Sequence, residues 1–442
     1  IRDRSPSRGL GDVYKRQFLN SKHRRIYSMS VGYKEFRLGW KSVFASALGI
    51  GLGLSPLPFY TIGVFVAPFI EEFGWSVEQI MRGLPILILG ALIMSPVAGF
   101  FADKYGVRKV VLTSIPLFSL AMMSFSLNDG SMELYLFCWI SIAVTGAGTL
   151  PVTWTRAVNS WFHKRRGLAL GMSLIGTGLF GPLAKIYAAT LIEMFGWRMA
   201  YVGVGFLPLL IAFPVAWFLL HEATEEDLAI VTENESKSEV KILGGMTATE
   251  ALCDWRFWLI GFCFLPVSFA VGGPIPNLEQ MFTIKGFALA EAIALASFVG
   301  FPSVIVGRVL GGYLLDYFWA PAVAAIILSL PALSLFLMIQ PDISLMAAFF
   351  AMFLLGLAAG VEYDLMAYLV SRYFGQLNYS SIYGLLYGFF AIGSGFGPWV
   401  FARSYSATGS YDTILKISAF LFILGALPLL MLGKYREFNH SR

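Results

Sequence analysis

Twelve apolar runs separated by short polar breaks dominate the sequence. They cover residues 42–70, 79–101, 110–127, 133–156, 167–194, 199–220, 255–281, 290–313, 321–339, 345–370, 383–404 and 413–433, and we call them spans 1 to 12. A bilayer core about 30 Å thick requires about 20 residues of α-helix. Because a helix satisfies all of its backbone hydrogen bonds within one segment, the pattern predicts twelve transmembrane helices.

Composition supports lipid as the solvent for most of the chain. Hydrophobic residues make up 57% of the 442 positions and charged residues 13%, whereas soluble domains carry roughly 25% charged residues. Mean hydropathy is +0.70. These values exclude soluble globular, disordered, collagen-like and disulfide-rich secreted proteins. They predict an all-α membrane protein that lies in the bilayer.

Lysine and arginine are concentrated at one set of span ends. They are Lys22, Arg24, Arg25, Lys34, Arg37, Lys41, Lys104, Arg108, Lys109, Lys164, Arg165, Arg166, Arg372, Lys434 and Arg436. Cytoplasmic loops carry such an excess. We therefore expect a multi-pass protein of the inner (plasma) membrane with both termini in the cytoplasm.

One long polar stretch, 221–254, divides the spans into two sets of six. We predict a cytoplasmic tail at 1–41, six-helix bundles at 42–220 and 255–433, a cytoplasmic linker at 221–254 and a tail at 434–442. The linker is acidic and is interpreted as a solvated tether or a binding segment. Residues 1–17 resemble translated sequencing-adapter read-through, and a native basic tail is the alternative.

The two sets of spans repeat each other. Glycines recur at an offset of 217 residues: Gly167, Gly171, Gly176 and Gly178 in span 5, and Gly384, Gly388, Gly393 and Gly395 in span 11. Gly99 and Asp103 recur at 213 as Gly312 and Asp316. Near-constant offsets indicate duplication of six spans. Parallel repeats of this kind predict two pseudo-symmetric bundles with a binding site between them near the membrane midplane.

Motifs for enzyme chemistry are missing from the sequence. The three cysteines, Cys138, Cys253 and Cys263, show no CxxC spacing, and neither HExxH nor GxxxxGK[ST] occurs. Such motifs would supply metal ligands or a phosphate-binding loop. We therefore expect no enzyme, no metal, no cofactor and no nucleic-acid partner, and we expect a monomer.

The loop between spans 2 and 3, GFFADKYGVRK, carries a recognisable motif. Its key positions are Gly99, Asp103, Gly106, Arg108 and Lys109. Glycine permits close helix contact or a tight turn, and Asp103 can face the N-terminus of a neighbouring helix, where the dipole favours an anion. The loop resembles the G-xxx-D-[RK]-x-G-[RK]-[RK] motif of the major facilitator superfamily. The resemblance implies a latch between the halves, which Asp316 repeats without the basic residues.

A second resemblance lies in WFHKRRGLALGMSLIGTGLFG, residues 161–181. It is similar to the span 4–5 signature of monocarboxylate porters and the related oxalate/formate antiporters. The matching positions are Phe162, Lys164, Arg165, Arg166, Leu168, Ala169, Gly171 and Gly176. This branch implies the major facilitator fold and secondary transport of a small organic anion, a carboxylate, by alternating access. Energy would come from a proton gradient or from anion exchange.

Arg308 in span 8 is the first candidate for substrate binding. It matches the arginine that contacts the anion in monocarboxylate porters, so the resemblance assigns it that role. In that family an acid lies one turn earlier, where this sequence has Val304, and a span-1 lysine is replaced near Phe59. A structural arginine near the cytoplasmic gate is the alternative.

Lys185 in span 5 is the second candidate for substrate binding. It lies seven residues after Gly178, on one stripe of small residues that should face other helices. An ion pair or snorkelling toward the outer surface is the alternative. At 1.5 Å per residue, Lys185 lies about 7 Å outside the midplane and Arg308 about 10 Å inside. One small carboxylate therefore cannot contact both at once.

Glu362 and Asp364 in span 10 are candidates for proton coupling. Ionisable residues inside membrane spans are costly and indicate function. Two residues correspond to about 200° of helix rotation, so the two acids face different directions. Asp364 and Arg308 have matched depths, which predicts an ion pair. Glu362 is deeper and is the stronger candidate for carrying the proton, with a hydrogen-bonded structural role as the alternative.

Two other functions compete with anion transport. Gly181-Pro182 resembles part of the drug–proton antiporter motif, but Ala184-Lys185 replaces its glycine pair, and a lysine would repel a cationic drug. A transporter-like sensor that binds ligand without turnover is the other, although the linker is too short for a folded signalling domain.

Overall fold

A computed structural model describes residues 32–224, 226–227, 244–436 and 438. The predicted non-native segment 1–17 lies outside the described residues, as do the middle of the linker and most of the final tail. The first half contains helices at 32–51, Leu57–Phe73, Val77–Met81, Gly83–Tyr105, Val107–Ser124, Met132–Thr145, Pro151–Trp161, Arg166–Leu207 and Phe213–Leu219. Short 3₁₀ turns at Phe125–Leu127 and Gly146–Thr149, and a π-helical turn at Pro208–Ala212, extend them.

The second half repeats this helical arrangement. Its helices are Ala248–Leu252, Trp255–Gly272, Leu278–Ile284, Leu289–Phe298, Val304–Tyr317, Ala320–Ile327, Leu330–Ile339, Leu345–Tyr373, Tyr379–Thr408 and Asp412–Ala426. A π-helical turn at Val299–Ser303 and 3₁₀ turns at Ile275–Asn277 and Leu427–Leu432 continue several of them. Pairing between β-strands is limited, within the described residues, to an isolated bridge between Gly245 and Gly375.

Nine helical stretches of the described chain are long and apolar enough to cross a membrane. One of them, Arg166–Leu219, contains both span 5 and span 6, and the chain turns sharply at Gly196, whose φ is 79°. Span 1 is interrupted at 52–56 and span 8 by the π-helical turn at 299–303. Each of the twelve predicted spans is mainly helical, which confirms the predicted all-α membrane architecture.

Two helix pairs join the halves, and the repeat relates them. Span 5 crosses span 8, and span 11 crosses span 2. A Cβ added at Gly167 would lie 2.3 Å from the Gly312 carbonyl oxygen, and one added at Gly384 would lie 2.6 Å from that of Ser95. Any side chain would force these backbones apart. The duplicated pair Gly167 and Gly384 is therefore required for contact between the halves.

The halves pack most closely at one end of the bundle, which contains Asp103, Arg156 and Asp316 and which we call the latch end. Farther along, the crossing of spans 5 and 8 loosens. A Cβ at Gly178 would have only ordinary contact with Val304 at 3.5 Å, and one at Gly300 would have no neighbour within 4 Å. The described structure is therefore tightly closed at the latch end and looser between these two spans beyond Gly178.

Both described ends of the linker attach to the latch end. The His221 carbonyl accepts hydrogen bonds from Ser42 Oγ at 2.8 Å and Trp161 Nε1 at 2.9 Å. On the other side of the linker, Met246 N donates to the Phe374 carbonyl at 2.8 Å. The linker is thus anchored at both ends, which the prediction of a solvated tether did not include.

Candidate functional site

A cavity of about 280 Å³ lies between the two halves. Spans 1, 2, 4 and 5 of the first half and spans 7, 8, 10 and 11 of the second half contribute to its wall. Its lining is mostly apolar and includes two charged side chains, Arg308 and Glu362. A site shared by two repeated halves is the arrangement that the duplication predicts.

Arg308 is held at the wall of this cavity by both halves. Its Nη1 atom lies 2.8 Å from Asp364 Oδ1, so the predicted ion pair is present. Its Nη2 atom donates a 2.8 Å hydrogen bond to Thr177 Oγ1 in span 5. The guanidinium carbon also lies 5.8 Å from the centre of the Tyr363 ring. Only 2% of the Arg308 side chain is exposed, so these contacts determine its orientation.

Gly171 makes room for this ion pair. A Cβ at Gly171 would lie 2.4 Å from the Arg308 carbonyl oxygen and 3.3 Å from Asp364 Oδ2. The glycine that resembles the span 4–5 signature thus lets span 5 approach the charged pair of the other half. The span 4–5 signature and the candidate site therefore meet at the same contact between the two halves.

The two acids of span 10 face different surroundings, as their spacing predicts. Glu362 lines the cavity, whereas Asp364 lies behind Arg308 and does not. Glu362 is 1% exposed, and its Oε1 atom has no hydrogen-bond partner among the described residues. A buried carboxyl without a partner is costly when it is charged, so Glu362 is suited to holding a proton.

Aromatic rings form much of the remaining wall. Tyr60, Tyr363, Tyr387 and Phe390 line the cavity, and the Tyr363 and Phe390 ring centres are 4.4 Å apart. Hydroxyl groups of these tyrosines and of Ser55, Thr177, Ser268 and Ser394 supply the polar positions. Such a wall can enclose an apolar body and offers hydrogen bonds at a few fixed points.

Lys185 is not brought to this cavity. Its side chain is exposed, and it is not among the residues that line the wall. The helical stripe that carries it does face span 8 at Gly171 and Gly178, but the two spans no longer touch closely beyond Gly178. Lys185 and Arg308 therefore do not line one cavity in this conformation, and a role of Lys185 in binding substrate stays a prediction.

Asp103 caps a helix of the opposite half, as its motif predicts. Its Oδ2 atom accepts hydrogen bonds from Ser381 N at 2.8 Å and Ser381 Oγ at 2.6 Å, and Oδ1 accepts one from Ser380 N at 3.1 Å. These donors belong to the first turn of span 11, where the helix dipole favours an anion. Gly106 has a φ of 86° and makes the predicted turn. Arg108 reaches the Trp217 carbonyl at 2.6 Å, while Lys109 is exposed.

Asp316 makes the corresponding contact in the repeat. Its carboxylate accepts hydrogen bonds from Gly167 N at 2.6 Å and Leu168 N at 3.2 Å, at the start of span 5. Burial raises the pKa of Asp316 to about 7, although these two N–H groups and Arg165 lower it. The two halves thus exchange helix caps across the latch end.

The sequence analysis did not identify three charged residues of the latch end, which are Arg156, Glu222 and Glu35. Arg156 forms ion pairs with Asp103 and with Glu222, the latter at 2.9 Å. Glu35 is buried and accepts hydrogen bonds from the backbone N–H groups of residues 163–165 at 3.0–3.1 Å, and burial raises its pKa. A sequence signal existed for Arg156, which is the single basic residue of helix Pro151–Trp161.

Metal-ligand chemistry finds no support in the described part of the chain. Groups of three or more histidine, cysteine, aspartate or glutamate side chains that could hold an ion do not occur there. The candidate site is therefore a cavity with a buried ion pair and one additional carboxyl group.

The chain is similar over most of its length to known transporters. The probable sulfoacetate transporter SauU of Cupriavidus necator is 24% identical over 83% of this chain and 88% of its own length. Monocarboxylate transporter 9 of Gallus gallus is 23% identical over 85% of this chain and 89% of its own. The solved proton:xylose symporter XylE has a similar fold, with a TM-score of 0.72, 12% identity and coverage of 90% and 96%.

A family description covers most of the chain. The sequence model of the Major Facilitator Superfamily matches residues 48–398, which include the cavity, the ion pair and both helix caps. The family members and structural neighbours are transporters and not enzymes. The chain is therefore a multi-pass membrane protein that belongs to the Major Facilitator Superfamily.

Proposed function

We propose that this transporter carries a small organic anion, a carboxylate, by alternating access. The observation that carries the proposal is Arg308, the one cationic side chain in the wall of a cavity built from described residues of both halves. A guanidinium in a low-dielectric cavity attracts carboxylates and can bind them in a planar, paired geometry. The names of the two relatives, a sulfoacetate and a monocarboxylate transporter, agree with a small anionic substrate.

The charges of the site favour proton coupling. Asp364 already neutralises Arg308, so an ionised Glu362 would give the site a net negative charge and repel an anion. A proton on Glu362 removes that repulsion. We therefore propose that the anion and a proton enter together, with anion exchange as the alternative when Glu362 stays protonated throughout.

The wall of the cavity favours a substrate with one charged group and an apolar body. Arg308 is the single cation available, and the aromatic side chains Tyr60, Tyr363 and Phe390 form apolar contacts. A dicarboxylate would bring its second charge against Glu362. Lactate and benzoate should therefore bind better than succinate.

We place the latch end on the cytoplasmic side, with both termini there. The supporting observation is that Lys104, Arg108 and Arg165 lie at this end, as cytoplasmic loops require. This structure would then be closed toward the cytoplasm. A monomer contains the complete cavity, so we propose a monomeric transporter.

Uptake into proteoliposomes tests the proposal. Lactate, benzoate and succinate are each supplied with and without an inward proton gradient. We expect accumulation of the first two, dependence on the gradient and loss of uptake in Arg308→Gln. Arg403→Gln, which changes an exposed arginine outside the cavity, is the matched control. Uptake that survives Arg308→Gln would contradict the proposal.

A drug–proton antiporter is a second candidate, because Glu362 lies in an aromatic cavity and its Oε1 atom has no hydrogen-bond partner among the described residues. A hydrophobic cation could bind between the rings and the carboxylate. Ethidium efflux from cells with and without the protein separates the two functions. Efflux that requires Glu362 but tolerates Arg308→Gln would favour the antiporter.

A further inference from the structure

Thr177 makes a hydrogen bond that crosses from one half of the transporter to the other. Its hydroxyl accepts from Arg308 Nη2 at 2.8 Å and donates to the Leu174 carbonyl of its own helix at 3.0 Å. Both roles of the hydroxyl are thus used, and its orientation is determined. Thr177 lies in span 5 and lines the cavity beside Arg308.

The guanidinium of Arg308 has one edge that its own half leaves free. Nη1 is bound to Asp364, while the Nε and Nη2 atoms form the opposite edge of the planar group. Nε is buried and has no hydrogen-bond partner among the described residues, and Nη2 is bound to Thr177 alone. Carboxylates bind an arginine edge in a bidentate manner, one oxygen to each nitrogen. The edge held by Thr177 is therefore the one with the shape for a second carboxylate.

We propose that the Thr177 hydroxyl is a stand-in for substrate: it occupies the Nε–Nη2 edge of Arg308 in the empty transporter and is displaced by the substrate carboxylate. This inference rests on the proposed anion transport. A carboxylate satisfies both nitrogens, whereas the hydroxyl satisfies one, so the exchange pairs the buried Nε donor. Thr177 keeps its bond to the Leu174 carbonyl when Arg308 turns to the substrate.

Displacement of Thr177 has a consequence for the two halves. The bond from Arg308 to Thr177 joins span 8 to span 5 next to Gly178, where the two helices begin to separate. Binding of the anion exchanges this bond between the halves for a bond to substrate. Thr177 thus couples the occupancy of the site to the contact between spans 5 and 8 and competes with the substrate for Arg308.

Formate, the smallest carboxylate, is the probe for this competition. Purified full-length protein in lipid nanodiscs is titrated with sodium formate, and the shift in its thermal unfolding midpoint gives an apparent Kd. Thr177→Val keeps the shape of the side chain but removes the acceptor. We expect formate to bind Thr177→Val about tenfold more tightly than wild type, since a hydrogen bond to a charged group no longer competes. Thr177→Ser keeps the hydroxyl and should bind formate as wild type does.

Two further variants make the result decisive. Thr177→Ala removes the same acceptor and replaces Thr177→Val if that variant does not fold. Thr190→Val makes the same change at an exposed threonine of span 5 whose hydroxyl bonds to the Ile186 carbonyl of its own helix, and it should leave the formate Kd unchanged. The KM for benzoate uptake should fall in Thr177→Val and stay at the wild-type value in Thr177→Ser.

Each other result overturns the inference. Equal formate binding by Thr177→Val and wild type would show that the hydroxyl does not compete, and weaker binding would show that it assists. No response to formate in any variant would mean that the edge does not accept a carboxylate. Loss of uptake in Arg308→Gln together with an unchanged formate Kd in Thr177→Val would overturn this inference and leave the proposed function intact. Uptake that persists in Arg308→Gln removes the proposed function itself.

Discussion

Arg308 and Asp364 form an ion pair with 2.8 Å between Nη1 and Oδ1, and their side chains are 2% and 0% exposed. The residues belong to different spans of the second half and are separated by 56 positions in the sequence. Removing two charges from water costs several kcal/mol per ion, which mutual attraction offsets only when both partners remain. This pair therefore makes the cavity wall sensitive to loss of either charge.

Neutralising one partner should destabilise the protein more than neutralising both. Asp364→Asn leaves a buried guanidinium without its counterion, and we expect a loss of about 3–5 kcal/mol. Thermal unfolding in nanodiscs measures it, with Asp342→Asn at an exposed aspartate as the matched control. The double variant Arg308→Met with Asp364→Leu should recover most of the stability while remaining unable to transport. Full stability of Asp364→Asn alone would contradict the expectation.

Glu362→Gln should separate exchange from accumulation. The variant keeps a neutral side chain of the same size in the cavity wall, so anions can still bind, but it cannot release a proton. We expect counterflow of labelled benzoate at close to the wild-type rate and no uphill uptake driven by a proton gradient. Glu279→Gln, at an acid outside the cavity wall, should retain both activities. Proton-driven accumulation in Glu362→Gln would remove this residue from the coupling mechanism.

Acidification should favour closure of the latch end. The pKa of Asp316 is about 7 in this conformation and 3.8 in water, so the closed state binds a proton more tightly than a state that exposes the carboxyl. The free energy by which Asp316 stabilises the closed latch end is therefore fully present at low pH. It is lost as pH rises from about 4 through 7. Glu35, whose pKa burial also raises, changes in the same direction.

A buried cysteine reports this closure. Asn159→Cys is placed at a fully buried position of the latch end in a variant whose three native cysteines are serine. We expect its modification by a small thiol reagent, corrected for thiolate content, to slow several-fold as pH falls from 8 to 6. Asp316→Asn should weaken this dependence. Faster corrected labelling at pH 6 than at pH 8 would contradict the expected closure at low pH.

Lys185→Ala should leave transport close to the wild-type level. The side chain is exposed and lies outside the cavity wall, so its loss should alter the KM for benzoate by less than about twofold. Arg308→Lys should abolish uptake, because an ammonium cannot reproduce the planar contacts to Asp364 and Thr177. Loss of uptake in Lys185→Ala, with normal folding, would show that Lys185 binds the anion in another conformation.

The order of elements could be predicted from the sequence because it depends on local properties. Apolar runs of sufficient length specify the spans, and the turn at Gly106 follows from its position in the loop motif. The ion pair of Arg308 and Asp364 was also accessible, since depth in the membrane increases by a constant 1.5 Å per residue along a helix. Helix rotation likewise separated Glu362 from Asp364.

Only the tertiary structure decided which way each helix face points relative to other helices. Periodicity relates residues within one helix and carries no information on its rotation against a partner, so the stripe of Gly171, Gly178 and Lys185 could not reveal that span 8 departs before Lys185. The same limitation hid the contact of Thr177 with Arg308 and the link from Arg156 to Glu222. The sequence alone determined which segments form the apolar helices and how far apart their charges lie along each helix. The packing of one half against the other decided which of those charges share a cavity, because that packing depends on contacts between residues far apart in the chain.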